Sequence, residues 1–153
     1  MKPYEKRLEI RWSDLDPNFH LRHSVYYDYG AFTRISFLDE NGITPAIMLQ
    51  YNIGPVLFRE ECVFKRELKF GDEIMINLVL EKSLPDLSRW TMKHEIWKNA
   101  NTLAAIITVD AAWIDTRLRK LTKPPGLFRA AFEQIPKAEG FKFTEKNPPA
   151  PGD

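Results

Sequence analysis

Ser24-Val-Tyr-Tyr-Asp-Tyr-Gly-Ala-Phe-Thr-Arg-Ile-Ser-Phe-Leu-Asp-Glu40 governs how the rest of this chain can be arranged. Ser24 is the candidate N-cap of a helix, and Asn41-Gly42 supplies the stop signal. Within the run, Val25, Tyr26, Tyr29, Phe32, Ile35, Phe37 and Leu38 point in many directions around a helix, whereas Asp28 and Asp39 share one narrow stripe. A helix that is apolar over most of its circumference is expected to be buried. At about 1.5 Å per residue it would extend for about 25 Å, enough to cross a sheet from end to end.

The flanking segments supply that sheet. Upstream, Arg7 to Trp12 alternates charged and apolar residues, which predicts a half-buried strand with Leu8, Ile10 and Trp12 on one face. Ser13 to Arg22 reads as a loop. Downstream, a linker with Pro45 and a short helix over 46–51 lead into four segments of period two. The first carries Val56, Phe58, Glu60, Cys62 and Phe64 on one face; the second Ile74, Ile76, Leu78 and Leu80; the third Trp90, Met92, His94 and Ile96; the fourth Leu103 to Trp113 at every second position. Gly71-Asp72, Pro85-Asp86 and Asn99-Ala-Asn101 are the turns, so the segments read as an antiparallel meander. Pro124-Pro125 breaks the pattern before a short helix over 126–134. The expected class is α+β, an antiparallel sheet of about five strands wrapped around one long central helix. An uncovered edge or face of such a sheet invites a second copy of the chain.

The 153 residues suggest one domain, assigned to 1–135, followed by a Pro- and Lys-rich tail over 136–153 that is expected to be partly flexible. A net charge of +1 provides no global field for a polyanion, which argues against nucleic acid as the main partner. The single cysteine, Cys62, lies in an apolar run and reads as a small buried residue. No apolar stretch approaches the ~18 residues of a membrane span, and the first residues lack a signal-peptide pattern, so no membrane association is expected and the expected location is the cytoplasm. The three histidines and one cysteine are scattered without ligand spacing, so no metal or other cofactor is expected.

In this order, the motifs resemble those of hotdog-fold acyl-CoA thioesterases of the 4-hydroxybenzoyl-CoA thioesterase type. The matching residues are Asp14-Leu-Asp16, His20 and Ser24-Val-Tyr26, then the Phe70-Gly71-Asp72 turn, then a long last strand closing at Pro125, so that the resemblance covers about residues 5–134. Phe19 replaces the small residue usually found before the motif histidine, and Arg22-His23 replaces a polar pair that is often Asn-Asn. The resemblance implies a hotdog fold, a homodimer or dimer of dimers (a homotetramer), and hydrolysis of an acyl-CoA thioester to a carboxylic acid and CoA, CoA being part of the substrate. Rival readings are a hydratase or lyase acting on acyl-CoA or acyl carrier protein, and a non-catalytic acyl-CoA-binding module.

Thioester hydrolysis needs a carboxylate, acting as nucleophile or general base, and donors aimed at the developing oxyanion. Read from residue types alone, two carboxylates in a turn also serve as Asx-type acceptors for the local backbone. The resemblance implies that Asp16 is the catalytic carboxylate, that Asp14 is structural, and that a free backbone N–H near His23 at the helix start polarises the carbonyl. His20 and His23 complete the candidate catalytic set, with His20 implied to organise the loop and the adjacent subunit's strand. Tyr26 and Tyr29 are the candidate acyl-contacting residues, and Ser88 and Arg89 the candidates for CoA. Glu60 is a further candidate substrate-binding residue, flagged because a carboxylate on an apolar strand face must be paired, protonated or turned out by a bulge. His94, on the face of Trp90 and Met92, reads as a satisfied core histidine.

Overall fold

The protein is described by a computed structural model over residues 2–145. The chain runs β1 (Tyr4–Leu8), a 3₁₀ turn (Trp12–Asp14), α1 (Val25–Glu40), α2 (Pro45–Tyr51), β2 (Ile53–Phe64), β3 (Ile74–Ser83), β4 (Arg89–Lys98), β5 (Thr102–Asp115), β6 (Lys120–Leu121), α3 (Gly126–Glu133) and β7 (Lys137–Phe143). The main sheet has the order β1-β3-β4-β5-β2, antiparallel at every step. β3, β4 and β5 form the expected meander, whereas β2 pairs with β5 and not with β3, so the expected four-strand meander fails at its first segment.

Period two explains the layering. Ile76 pairs with Ile96, Leu80 with Met92, Met92 with Val109 and Ile96 with Ala105, so each paired row presents apolar side chains to the same face. These residues are all buried. Helix α1 lies on that face through Val25, Tyr26, Tyr29, Gly30, Thr33, Phe37 and Leu38. Its other side, with Asp28, Ala31, Phe32 and Ile35, is exposed. The helix is therefore covered on one side in the single chain and not all round as its composition implied. Phe32 and Ile35 on that side are 50% and 37% exposed.

Several local expectations shift. The first strand ends at Leu8, and Trp12, expected on its buried face, sits in the 3₁₀ turn and is 73% exposed. Ser24 occupies the N-cap position of α1 as expected, but its side chain makes no capping hydrogen bond. Its backbone is already helical and its Oγ instead accepts a hydrogen bond from Arg22 Nε at 3.0 Å. In β2 the register shifts between Leu57 and Arg59, which is a β-bulge. Before it Leu57 is paired with Ala111 on the helix side; after it Glu60 is paired with Val109 on that same side. The bulge thus turns Val56 and Phe58 away from the face the alternation assigned to them and leaves Glu60, Cys62 and Phe64 on it.

The C-terminal segment departs most from expectation. Lys137–Phe143, read as part of a tail, is a strand that runs parallel to β3 at Leu80–Ser83. It takes the β3 edge just beyond the stretch Ile74–Leu78 that β1 occupies. Residues 146–153 of the tail lie outside the described residues. The preceding helix α3 closes one end of the core. Phe132 meets Trp90 at 4.6 Å and Trp113 at 5.3 Å between ring centroids, and Phe128 meets Trp113 at 5.3 Å. Among the described residues no helix is long and apolar enough to cross a membrane.

Phe132 is 1% exposed and joins both tryptophans. Phe132→Ala should lower unfolding stability by about 3–5 kcal/mol in urea titration. A loss below about 1 kcal/mol would show that α3 is not an integral part of the core.

Candidate active site

The loop between β1 and α1 is a small hairpin. Leu15 bridges Leu21, and Asp16 N donates to His20 O at 2.8 Å. Phe19 at the tip has φ of 63°, the left-handed region that a bulky residue adopts only when its surroundings impose it. Asp16 heads this turn. Its Oδ1 accepts from Asn18 N at 2.8 Å and His20 N at 3.1 Å, the Asx pattern. Its Oδ2 accepts no hydrogen bond among the described residues.

The loop is anchored at two points. Asp14 is buried and accepts from Arg11 N, Nε and Nη2 at 3.0, 3.1 and 2.9 Å. Those bonds, against the opposing effect of burial, hold its carboxyl below the usual range. On the other side Leu21 N donates to Leu68 O at 2.7 Å, and Leu21 and Leu68 are both buried. His20 bridges Lys69 through the backbone, with its Nε2 at 3.6 Å from Glu67 Oε2. It ties the loop to the segment after β2 of the same chain. His23 is exposed at the helix entrance. Arg22 N donates to Asp14 O and Val25 N to Arg22 O, whereas the His23 N–H has no acceptor among the described residues. The helix start therefore presents a free donor at its positive end.

The other candidates are placed elsewhere. Tyr26 packs edge-on against Phe64 at 4.8 Å, and Tyr29 donates from its hydroxyl to Glu9 O at 3.0 Å. Both belong to the core, where burial pushes their hydroxyls up to about 12. They back the helix start and do not face the open side of α1. Ser88 donates from N and Oγ to Asp86 Oδ1, and the Arg89 guanidinium lies 4.7 Å above the Phe58 ring. Arg89 begins β4, and the loop carrying Asp16 docks near the other end of the sheet. At about 3.3 Å per residue the ten residues of β4 separate them by about 30 Å. One chain does not bring them together.

Glu60 resolves differently. It remains on the inner face and pairs with Arg34 of α1, Oε2 to Nη2 at 3.5 Å. Arg34 Nη1 lies 3.0 Å from His94 Nε2, and His94 Nδ1 lies 2.8 Å from Asn77 O. A carbonyl can only accept, so Nδ1 carries the proton and Nε2 accepts from Arg34. Burial first, and the Arg34 charge second, push His94 down to about 3, so it is neutral. Burial likewise lowers Arg34 from its usual value. Gly30 makes room for this chain: a Cβ there would lie 3.1 Å from Arg34 Nη1 and 3.4 Å from the His94 ring.

Arg34 also borders a cavity of about 200 Å³ between α1, the first half of β2 and the tryptophan end of the sheet. Its walls are mainly apolar and include Ala31, Ile35, Leu57, Trp90 and Trp113. The Nε1–H groups of Trp90 and Trp113 are buried with no acceptor among the described residues. Each such donor costs about 1–3 kcal/mol while unpaired. The sequence singled out Glu60 and His94 but not Arg34, which joins them and lines the cavity. The available signal was a lone arginine on an apolar helix, together with a carboxylate and a histidine on inward strand faces.

The model of the thioesterase-like superfamily matches residues 10–132. No curated protein matches by sequence. Among solved structures, a Staphylococcus aureus protein crystallised in complex with CoA superposes with a TM-score of 0.80 at 17% identity, covering 86% of this chain and 82% of that one. A DHNA-CoA thioesterase from Staphylococcus aureus gives 0.77 at 17% identity, covering 88% and 91%. A 1,4-dihydroxy-2-naphthoyl-CoA thioesterase from Synechocystis gives 0.76 at 15% identity, covering 87% and 97%. At these identities the likenesses show the fold, which is the hotdog fold.

The neutral, buried His94 has a consequence for stability. The unfolded chain protonates this residue near 6.5 and the folded chain only near 3. The contribution is therefore complete above 6.5 and is lost as pH falls towards 3, at up to about 1.4 kcal/mol per pH unit. Urea unfolding from about pH 7 to about pH 5 should show this fall, and His94→Gln should flatten it. Equal slopes in the two proteins would contradict a buried neutral His94.

Proposed function

This chain belongs to the thioesterase-like superfamily of thioester hydrolases, and we propose that it hydrolyses acyl-CoA thioesters to a free carboxylic acid and CoA. The observation that carries the catalytic part is the pairing of two features in one anchored loop. Asp16 has one oxygen locked and the other free, and the His23 N–H is unpartnered at the positive end of α1. Asp16 acts as nucleophile or general base. In the second case it takes a proton from water as the water oxygen bonds to the thioester carbon. The His23 N–H and the helix dipole stabilise the oxyanion. The C–S bond then breaks, and the proton passes from Asp16 to the departing CoA thiolate. His20 keeps the loop in place through Glu67 and the Lys69 backbone.

The site is completed by a second copy. β2 is an edge strand of twelve residues whose Leu57, Phe58, Val63 and Phe64 are about half exposed. Two such edges pairing antiparallel around a twofold axis reverse one sheet relative to the other. Ser88 and Arg89 of the partner subunit then stand at the same end as Asp16, where a cation can meet the CoA phosphates. The protein works in the cytoplasm, and its free, half-buried Cys62 is compatible with that reducing compartment.

Asp16→Asn should reduce kcat by about 10²–10⁴-fold with the fold intact by circular dichroism. Unchanged thiol release across a range of acyl-CoAs would remove Asp16 from the mechanism. Sedimentation equilibrium should give at least twice the 17.9 kDa chain mass, and an active monomer would contradict the shared site.

A further inference from the structure

Ser88 and Arg89 form only one side of a groove. Its other side belongs to the β5–β6 hairpin, which neither the catalytic loop nor the core uses. The hairpin is rigidly built. Ile114 pairs with Leu121 and Asp115 with Lys120. Asp115 Oδ1 accepts from Arg117 N and Leu118 N at 2.9 and 2.8 Å, and Asp115 O accepts from Arg119 N at 2.8 Å. The buried Trp113 joins the hairpin to the loop before β4. Its N–H donates to Ser88 O and its carbonyl accepts from Thr122 N, each at 3.0 Å, so the two segments are held side by side. Between them lies a groove of about 320 Å³, bordered by Leu84, Ser88 and Arg89 from one and by Leu121, Thr122 and Lys123 from the other. Asp86 also borders it, with Oδ1 accepting from Ser88.

The hairpin is strongly basic. Arg117, Arg119, Lys120 and Lys123 are all exposed. Neither they nor Arg89 form an ion pair among the described residues. The whole chain carries only +1, so the hairpin is a local concentration of charge and not a reflection of composition. Arg119 even takes the left-handed turn position, with φ of 58°, where Asn or Gly is easier.

We propose that this groove receives the nucleotide end of CoA, and that Lys120 and Lys123 complete the phosphate site that Ser88 and Arg89 begin. The proposal rests on the thioesterase reading and its second copy, which brings the partner's groove to the Asp16 end. CoA ends in a diphosphate and a 3′-phosphate, more negative charge than one arginine offsets. The hairpin supplies the remaining cations, and the Thr122 hydroxyl is a further donor. Leu84 and Leu121, the second 52% exposed, offer apolar wall to the ribose and adenine. Pantetheine attached to a carrier protein has a single phosphodiester and no nucleotide, so the groove selects CoA as the thiol carrier.

The test uses two thioethers that cannot be hydrolysed, S-octyl-CoA and S-octyl-pantetheine, which differ only in the phosphorylated nucleotide. Titration calorimetry on the wild-type protein should show the CoA compound binding about tenfold more tightly or better. That advantage should shrink as KCl is raised. The double variant Lys120→Met, Lys123→Met should bind the CoA compound about tenfold more weakly and the pantetheine compound as before. The corresponding double arginine variant should bind both like the wild type. Equal binding of the two thioethers by the wild type, undiminished CoA affinity in the methionine variant, or an equal loss for both compounds would overturn the proposal. Thiol release from a range of acyl-CoAs separates it from the reading beneath it. Hydrolysis combined with undiminished CoA affinity in the methionine variant defeats only the groove assignment. Nucleotide-dependent binding that is lost with the lysines, without release from any thioester, supports the groove and defeats the thioesterase reading.

Discussion

A guanidinium buried between a helix and a sheet must be neutralised and hydrogen-bonded, and that requirement ties four elements of this protein together. Arg34 comes from α1, Glu60 from β2, His94 from β4 and the Asn77 carbonyl from β3. Each partner constrains the next. Glu60 must face inward, so the β2 bulge has to fall before it. His94 must accept through Nε2, so Nδ1 must donate, and Asn77 O is the acceptor. A side chain at residue 30 would crowd the guanidinium and the imidazole, so glycine suits this position. A lone charge in this position would be strongly destabilising, whereas the connected set is tolerated and fixes how α1 sits on the sheet.

Seating α1 also sets the position of its first turn. The loop before it is held from both sides, by Arg11 on Asp14 and by Leu68 and Lys69 on Leu21 and His20. Asp16 thus projects from a hairpin whose N–H groups from Asp14 to Arg22, Pro17 aside, are all hydrogen-bonded, and the N–H of His23 stays open at the helix end. The polar chain acts on that loop from a distance: it positions the helix whose N-terminus carries the free N–H of His23. Arg34 also lines the apolar cavity farther along α1, so one charged residue links helix placement with the shape of that cavity.

Much of this fold could be read from period two. The inner faces of β3, β4 and β5 are the residues that the alternation assigned, and His94 is the satisfied core histidine that its position implied. Failures arose where a tertiary contact overrode the local pattern. The bulge at Leu57/Arg59 has no glycine or proline to announce it, and it exists because Leu57 and Glu60 both have inward partners. Trp12 fits the strand alternation but leaves it, since the Asp14–Arg11 contacts bend the chain into a 3₁₀ turn. Lys137–Phe143 has the composition of a tail, yet the part of the β3 edge beyond β1 gives it a ladder. The apolar circumference of α1 is real, but one chain covers only half of it. For the site, Asp16, His20 and His23 are gathered in one loop as their spacing implied. Tyr26 and Tyr29 turn inward, and Ser88 and Arg89 lie at the far end of the sheet, which sequence separation could not show. Arg34 went unread because its partners are distant in sequence.

Release of free CoA thiol by the purified protein, followed with aryl and with short-, medium- and long-chain acyl-CoAs, bears most directly on whether this loop and helix start form a hydrolytic site. Catalytic turnover of at least one thioester, yielding equal amounts of acid and CoA, is the expected result. Binding of acyl-CoA without release of thiol from any of them, or hydration of the acyl chain with the thioester intact, would contradict it.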